Sequence, residues 1–198
     1  MVNLIKQDEA RLRLFKKYGY DIPKARKFIL LKAELSAGKI LEVGTGKGHM
    51  AAALGKKGLR AVSIDLDRKA QKTARLNLKN LGLDKLILLK NMDAERLEYG
   101  DSSFENVIAV NFIHHAKNPL KCLKEMIRVS KNKLIIADLN KKGEKIMEKV
   151  HALDGHRHVA SKMPMSSVKK YLEGHSLSVK VYRDVCQIIV IATKGEVR

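Results

Sequence analysis

Glu42, Gly44, Gly46 and Gly48 share one short stretch, Leu41-Glu42-Val43-Gly44-Thr45-Gly46-Lys47-Gly48, whose spacing could hold a nucleotide-like ligand. Glycines at alternate positions let the backbone turn tightly and come close to a bound group. The spacing separates this loop from two common phosphate binders. A dinucleotide fingerprint wants a third glycine where this chain has His49. A phosphate loop ends in Gly-Lys-Ser or Gly-Lys-Thr, whereas Gly46-Lys47 is followed by Gly48. An acid just before the loop would repel a pyrophosphate and suits a ligand carrying positive charge.

Two further acids follow at the ends of apolar runs. Asp65 closes Ser63-Ile64-Asp65, about twenty residues past the glycines, the place of a carboxylate that takes the two hydroxyls of a ribose. Asp93 stands in Asn91-Met92-Asp93-Ala94-Glu95 after the next run. An acid by the loop, one for a ribose and one near a base edge together describe a cationic nucleoside. S-adenosylmethionine has a sulfonium, an ammonium and an adenosine, and no phosphate. His114 and His115 follow a fourth run, in Asn111-Phe112-Ile113-His114-His115, and imidazole is the side chain suited to moving a proton near neutral pH.

These residues need elements to position them. Short apolar β-like runs alternate with longer helical stretches, the mark of an α/β fold with a mainly parallel sheet. Helices are expected over 4–17 and from Pro23 to about 35. Strands are expected at 39–43, 60–65, 85–90, 106–111 and 133–138, with helices at 46–57, 67–80 and 119–129 between them. A helix over 142–153 and a His-rich loop come next, then a helix over 166–173. The runs 178–185 and 187–193 have almost nothing between them, so they pair as an antiparallel hairpin; a parallel pair would need a long crossover. The acids at successive strand ends then lie side by side at the ligand edge of a doubly wound sheet.

At this point the chain resembles the class I S-adenosylmethionine-dependent methyltransferases. Residues 40–139 look most like the branch containing the ubiquinone/menaquinone-biosynthesis methyltransferases. Ile40 to Gly48 is similar to that family's cofactor loop. Asn91 to Glu95 and Asp101 to Ile108 resemble its acidic motif and the approach to the fourth strand, and Asn111 to His115 and Asn118 to Val129 continue in register. The resemblance implies a Rossmann-like, three-layer α/β/α fold with strand order 3-2-1-4-5-7-6 and strand seven antiparallel. It implies a single domain: a helical lid over 1–35, a cofactor core over 39–139, a substrate cap over 140–165, and a closing helix and hairpin over 166–198. It implies cofactor contacts from Glu42, Gly44, Thr45, Gly46 and Gly48, from Asp65 to the ribose, from Leu66, Asp93 and Ala94 to adenine, and from Asn111 at the sulfonium. Tyr18 and Tyr20 fall in the lid. One departure is Ser130-Lys131-Asn132, where the family often enters strand five by Pro-Gly-Gly.

Methyl transfer from a sulfonium is a direct displacement governed by alignment, and it needs no metal. The favoured acceptor is a small molecule, with His114 or His115 as base. After Asn111 the chain lacks the Pro-Pro-aromatic pattern of enzymes that methylate exocyclic amino groups. His151, His156 and His158 with Asp154 match no tight zinc pattern, so they are read as surface or cap residues and no metal is assigned. Met163 and Met165 line a pocket or fill core.

Composition bounds the rest. The 198 residues, 45% of them apolar, can bury a core. Two cysteines, Cys122 and Cys186, exclude a disulfide scaffold and fit a reducing, cytoplasmic setting. The longest apolar runs, such as Ile188 to Ala192, are too short to span a membrane, and the first residues reach acids too early for a secretory signal. Forty basic against 21 acidic residues leave a net charge of +19, shared among residues 1–39, 40–139 and 140–198 and dominated by lysine. That field attracts polyanions and keeps an RNA methyltransferase open as a second reading. A cofactor-binding protein without turnover is a third. His49 argues against a nicotinamide oxidoreductase.

Overall fold

All four residues of β1 (Ile40–Val43) are buried, as expected of a strand covered on both faces. Around it a computed structural model, which describes residues 2–35, 38–153 and 163–195, builds one seven-stranded sheet. The remaining strands are β2 (Ala61–Asp65), β3 (Ile87–Asn91), β4 (Phe104–Val110), β5 (Ser130–Leu139), β6 (Ser178–Arg183) and β7 (Gln187–Thr193). Their spatial order is β3-β2-β1-β4-β5-β7-β6, the order expected. The first five are parallel; β7 runs antiparallel to both β5 and β6.

Helices cover both faces. On one, α2 (Ile22–Ala33), α3 (His49–Lys56) and α4 (Arg68–Asn80) send Ile29, Met50, Leu54 and Leu78 against Ile40, Ile87, Ile108 and Ile135. On the other, α5 (Pro119–Val129) and α7 (Met165–Glu173) send Leu123, Met126, Val168 and Leu172 against Leu41, Val107, Leu134 and Ile136. A third cluster joins α1 (Val2–Lys17), α2 and α6 (Lys141–Leu153) through Phe15, Tyr20, Ala25, Met147 and Val150. The N-terminal helices and α6 therefore form one packed unit above the end of β5.

The boundaries have local causes. Asp21 caps α2 by accepting from the Lys24 N–H at 3.1 Å, and Pro23 occupies the first turn, where its missing N–H costs nothing. Asp67 caps α4 through Lys69 and Ala70, and Asn118 caps α5 through Lys121. The departure at Ser130-Lys131-Asn132 changes more than a turn. α5 passes straight into β5 at Ser130, which pairs with Phe104 across a register shift before Asn106. Both strands thereby begin earlier than their sequence patterns indicate.

Candidate active site

The carboxyl ends of β1, β2, β3 and β4 meet around the loop of residues 44–48. Glu42 is 1% exposed. Its Oε2 accepts from Ser63 Oγ at 2.6 Å, and that hydroxyl lies 2.6 Å from Thr45 Oγ1. A polar chain thus runs from β1 through β2 into the loop. Burial pushes the Glu42 carboxyl up to about 8, against the Ser63 hydrogen bond and the charge of Arg26. The group is mostly neutral at pH 7.

Gly44, Gly46 and Gly48 have φ of 87°, 50° and 84°. A Cβ on Gly44 would meet the Phe112 ring at 2.7 Å, so this position needs glycine for close packing. A Cβ on Gly46 would meet nothing within 4 Å, so here the backbone opens onto free space. His49 begins α3, with Nε2 3.6 Å from the Asp8 carboxylate of α1.

Asp65 ends β2. Its Oδ2 accepts the Gly46 N–H at 2.7 Å and its Oδ1 the Asp67 N–H at 2.9 Å. Two backbone donors fix the carboxylate across the loop, and an ionised carboxylate has further lone pairs to offer. Leu66 beside it is 64% exposed, a large apolar side chain at the mouth of the site. Asn91 ends β3 and donates to the carbonyls of Asp65 and Leu66 at 2.9 Å each, bracing the two strand ends. Asp93 is exposed, with Oδ1 accepting the Glu95 N–H at 2.8 Å, and Ala94 is buried next to it.

Asn111 leaves β4 at φ 54°, a left-handed conformation asparagine tolerates better than most residues. Its Nδ2 donates to the Tyr20 hydroxyl at 3.0 Å, and its Oδ1 accepts from Gln187 Nε2 at 2.6 Å. Arg26 Nη1 donates to the same hydroxyl at 3.2 Å and to Gln187 Oε1 at 3.3 Å. Arg26 is 5% exposed, both of these partners are uncharged, and its buried Nε has no hydrogen-bond partner among the described residues. Of the two tyrosines expected in a lid, Tyr20 hydrogen-bonds into this network, while Tyr18 lies under Lys149 of α6 at 4.3 Å.

His114 and His115 sit in a 3-10 turn, Ile113–His115. His114 is buried, with Nδ1 2.6 Å from Asp138 Oδ1 and its backbone N–H donating to Asp138 Oδ2 at 3.1 Å. The Leu139 N–H also donates to Asp138, at 2.8 Å. His115 is exposed, its ring 3.9 Å from that of His114.

Arg26, Ser63, Asp138 and Gln187 are the site residues that sequence reasoning missed. Arg26 and Gln187 are 161 positions apart, and no local pattern joins them. Asp138 did carry a signal, since it is an acid near the end of a parallel strand, like Asp65. Met165 is core, and Met163 is partly buried against it. Asp154, His156 and His158 lie outside the described residues. Among the described residues no group of three His, Cys, Asp or Glu side chains is placed to hold a metal, and no helix is long and apolar enough to cross a membrane.

Residues 41–137 match the family model described as "Methyltransferase domain". Among curated proteins the chain is similar to "Methyltransferase GfsG" of Streptomyces halstedii, 32% identical over 57% of this chain and 42% of that protein. It is also similar to the "Ubiquinone biosynthesis O-methyltransferase" of Paracidovorax citrulli, 30% identical over 50% of this chain and 42% of that protein. The matched segments span less than half the length of these relatives. Among solved structures, a "SAM dependent methyltransferase from Aquifex aeolicus" superposes with a TM-score of 0.66 at 23% identity, covering 97% of each chain.

Proposed function

The chain belongs to the class I S-adenosylmethionine-dependent methyltransferases, and on that premise we propose that it methylates a small-molecule acceptor held under the unit formed by α1, α2 and α6. The observation that carries this reading is the convergence, around one loop, of a buried neutral acid (Glu42), a backbone-fixed carboxylate (Asp65) and an exposed apolar side chain (Leu66). That donor set fits an adenosine with a cationic tail. The carboxylate of Asp65 takes ribose hydroxyls, Leu66 and Ala94 flank the adenine, Asp93 accepts from its amino group, and the open backbone at Gly46 admits the chain beyond. Arg26, whose buried Nε has no partner among the described residues, offers the cofactor's carboxylate a donor. Thr45, Gly44 and Gly48 hold the loop in shape, and Asn111 is positioned by Tyr20 and Gln187 at the acceptor end.

When bound, S-adenosylmethionine supplies a methyl group on a sulfur that is already an activated leaving group. The protein's contribution is alignment and exclusion of water, with proton removal where the acceptor carries a proton. Asp138, 2.6 Å from Nδ1 of His114, orients the imidazole as the base on this reading. His115, exposed beside it, is the second base on this reading.

Incubating the protein with methyl-labelled cofactor and separate metabolite, RNA and protein fractions tests the acceptor class. Label is expected in the small-molecule fraction only, and label confined to RNA or protein contradicts the reading. With the acceptor in hand, Asp138→Asn is expected to lower turnover at least tenfold and alter its pH profile, with partial recovery in Asp138→Glu. An unchanged profile would remove Asp138 from the mechanism.

A further inference from the structure

α4 carries a row of cations that the methyl-transfer reading does not use. Its thirteen residues include Arg68, Lys69, Lys72, Arg75 and Lys79 and not one acid. Arg68, Lys72, Arg75 and Lys79 lie at i, i+4, i+7 and i+11, which places them within a narrow arc of one helix face. All four are exposed, and none belongs to an ion pair among the described residues. Like charges at this spacing repel one another, so the row costs stability unless something outside the chain offsets it. α5 and α7 contrast with it: Arg128 of α5 pairs with Glu125, and Lys169 of α7 with Glu173.

The direction of the row is set by its neighbours. Gln71 of α4 donates to the Lys90 carbonyl of β3, and Arg68 Nε donates to Asn91 at the end of β3. Asn77, on the other shoulder of the helix, faces Lys47 and Asp8. The row therefore flanks β3, the strand at the open edge of the sheet. The acids nearest in sequence are Asp67, whose carboxylate is engaged in capping α4, and Asp84, exposed in the turn to β3.

We infer that this face of α4 docks the phosphate backbone of duplex RNA. The four cations span about 16 Å along the helix axis, at a mean spacing of about 5.5 Å. A straight, rigid row of charges matches a strand whose phosphates are already ordered, and the closer phosphate spacing of A-form RNA suits it better than that of B-form DNA. The row itself carries no aromatic side chain for stacking unpaired bases and no apolar side chain to enter a lipid layer. The contact is with backbone alone, so it is expected to be indifferent to sequence. It lies on the β2–β3 side of the molecule, whereas Asn111 and His114 follow β4, so docking here leaves the acceptor site free.

The test uses the full chain without cofactor, which keeps its outcome separate from the methyltransferase reading. Binding to a short labelled RNA duplex is followed by fluorescence anisotropy between about 50 and 300 mM salt. Four phosphate contacts predict that affinity falls with salt at a log–log slope of about 3.6 in magnitude. Arg68→Gln, Lys72→Gln, Arg75→Gln and Lys79→Gln combined should weaken binding at least tenfold and flatten the slope. The same charge loss at exposed sites elsewhere, Lys141→Gln, Lys145→Gln, Lys170→Gln and Lys180→Gln, should leave binding within about twofold. Equal losses in the two variants would assign binding to the general basic surface and overturn the inference. It is also overturned by no RNA binding at low salt, by equal affinity for a DNA duplex, or by binding only to anionic vesicles.

Discussion

Glu42 shows how far a residue's surroundings can set its chemistry. An ordinary glutamate titrates near 4.5; burial holds this one near 8. Between those values the folded protein keeps a proton that the unfolded chain has released. Its contribution to stability is therefore full below pH 4.5 and is lost as pH rises to about 8. Glu42→Gln removes the titration while still accepting from Ser63. The variant is expected to gain about 1–3 kcal/mol over wild type at pH 8 and almost nothing at pH 4.5, read from urea unfolding at the two values. Above about pH 8, where the carboxyl is ionised, the same substitution should weaken binding of a cationic ligand, since only the ionised carboxylate attracts it. Equal stability of the two proteins at pH 8 would show that Glu42 is already ionised in the fold. The sequence marks Glu42, Asp65 and Asp93 because each stands at a strand end next to a loop. It does not mark Arg26 or Gln187, which meet only because α2 and the start of β7 pack against the same edge.

Two elements depend on single close contacts. Gly143, in the first turn of α6, has its α-carbon against the Cys186 carbonyl in the turn before β7, and a Cβ there would overlap that oxygen. Gly143→Ala should cost about 2–4 kcal/mol and lower the thermal midpoint, because α6 must move off the hairpin. A midpoint within a degree or so of wild type would contradict this packing. α1 is tied down by Asp8, which is 4% exposed and is reached by Lys47 at 3.2 Å, His49 at 3.6 Å and Asn77 at 2.9 Å. Burial opposes ionisation of Asp8, but His49 and Lys47 outweigh it and hold its carboxyl below the usual 3.8. A depressed carboxyl stabilises above its unfolded value and loses that contribution as pH falls below it, so this part of the tie is lost as pH falls below 3.8. Asp8→Ala at neutral pH should cost about 1–3 kcal/mol and speed amide exchange through residues 2–17, while exchange in β4 and β5 stays slow. Uniform exchange changes across the chain would argue against a local tie. Neither contact is readable locally. Gly143 looks like an ordinary weak point in a helix, and Asp8 like one acid in a charged one.

At the scale of the whole molecule the strand order is what the resemblance implies, while the spacing by itself indicates only which runs are parallel and which close as a hairpin. Apolar runs alternating with helical stretches point to a mainly parallel sheet, and two runs with almost no linker can only form an antiparallel pair. The placement of Glu42, Asp65 and Asp93 on one edge follows from that order. What lies above the edge does not follow, because the unit of α1, α2 and α6 is held by scattered contacts such as Phe15, Tyr20 and Met147 rather than by a repeating pattern. The His114–Asp138 pair illustrates the same divide: each residue was visible at a strand end, but only the 2.6 Å contact joins them.

The measurement that tests the central claim most directly is calorimetric titration of the protein with S-adenosylmethionine, S-adenosylhomocysteine and NAD, repeated on Asp65→Ala. The first two are expected to bind with dissociation constants on the order of micromolar and to lose at least tenfold in the variant, with no heat from NAD. Silence from both sulfur compounds, or equal binding of NAD, would contradict the account.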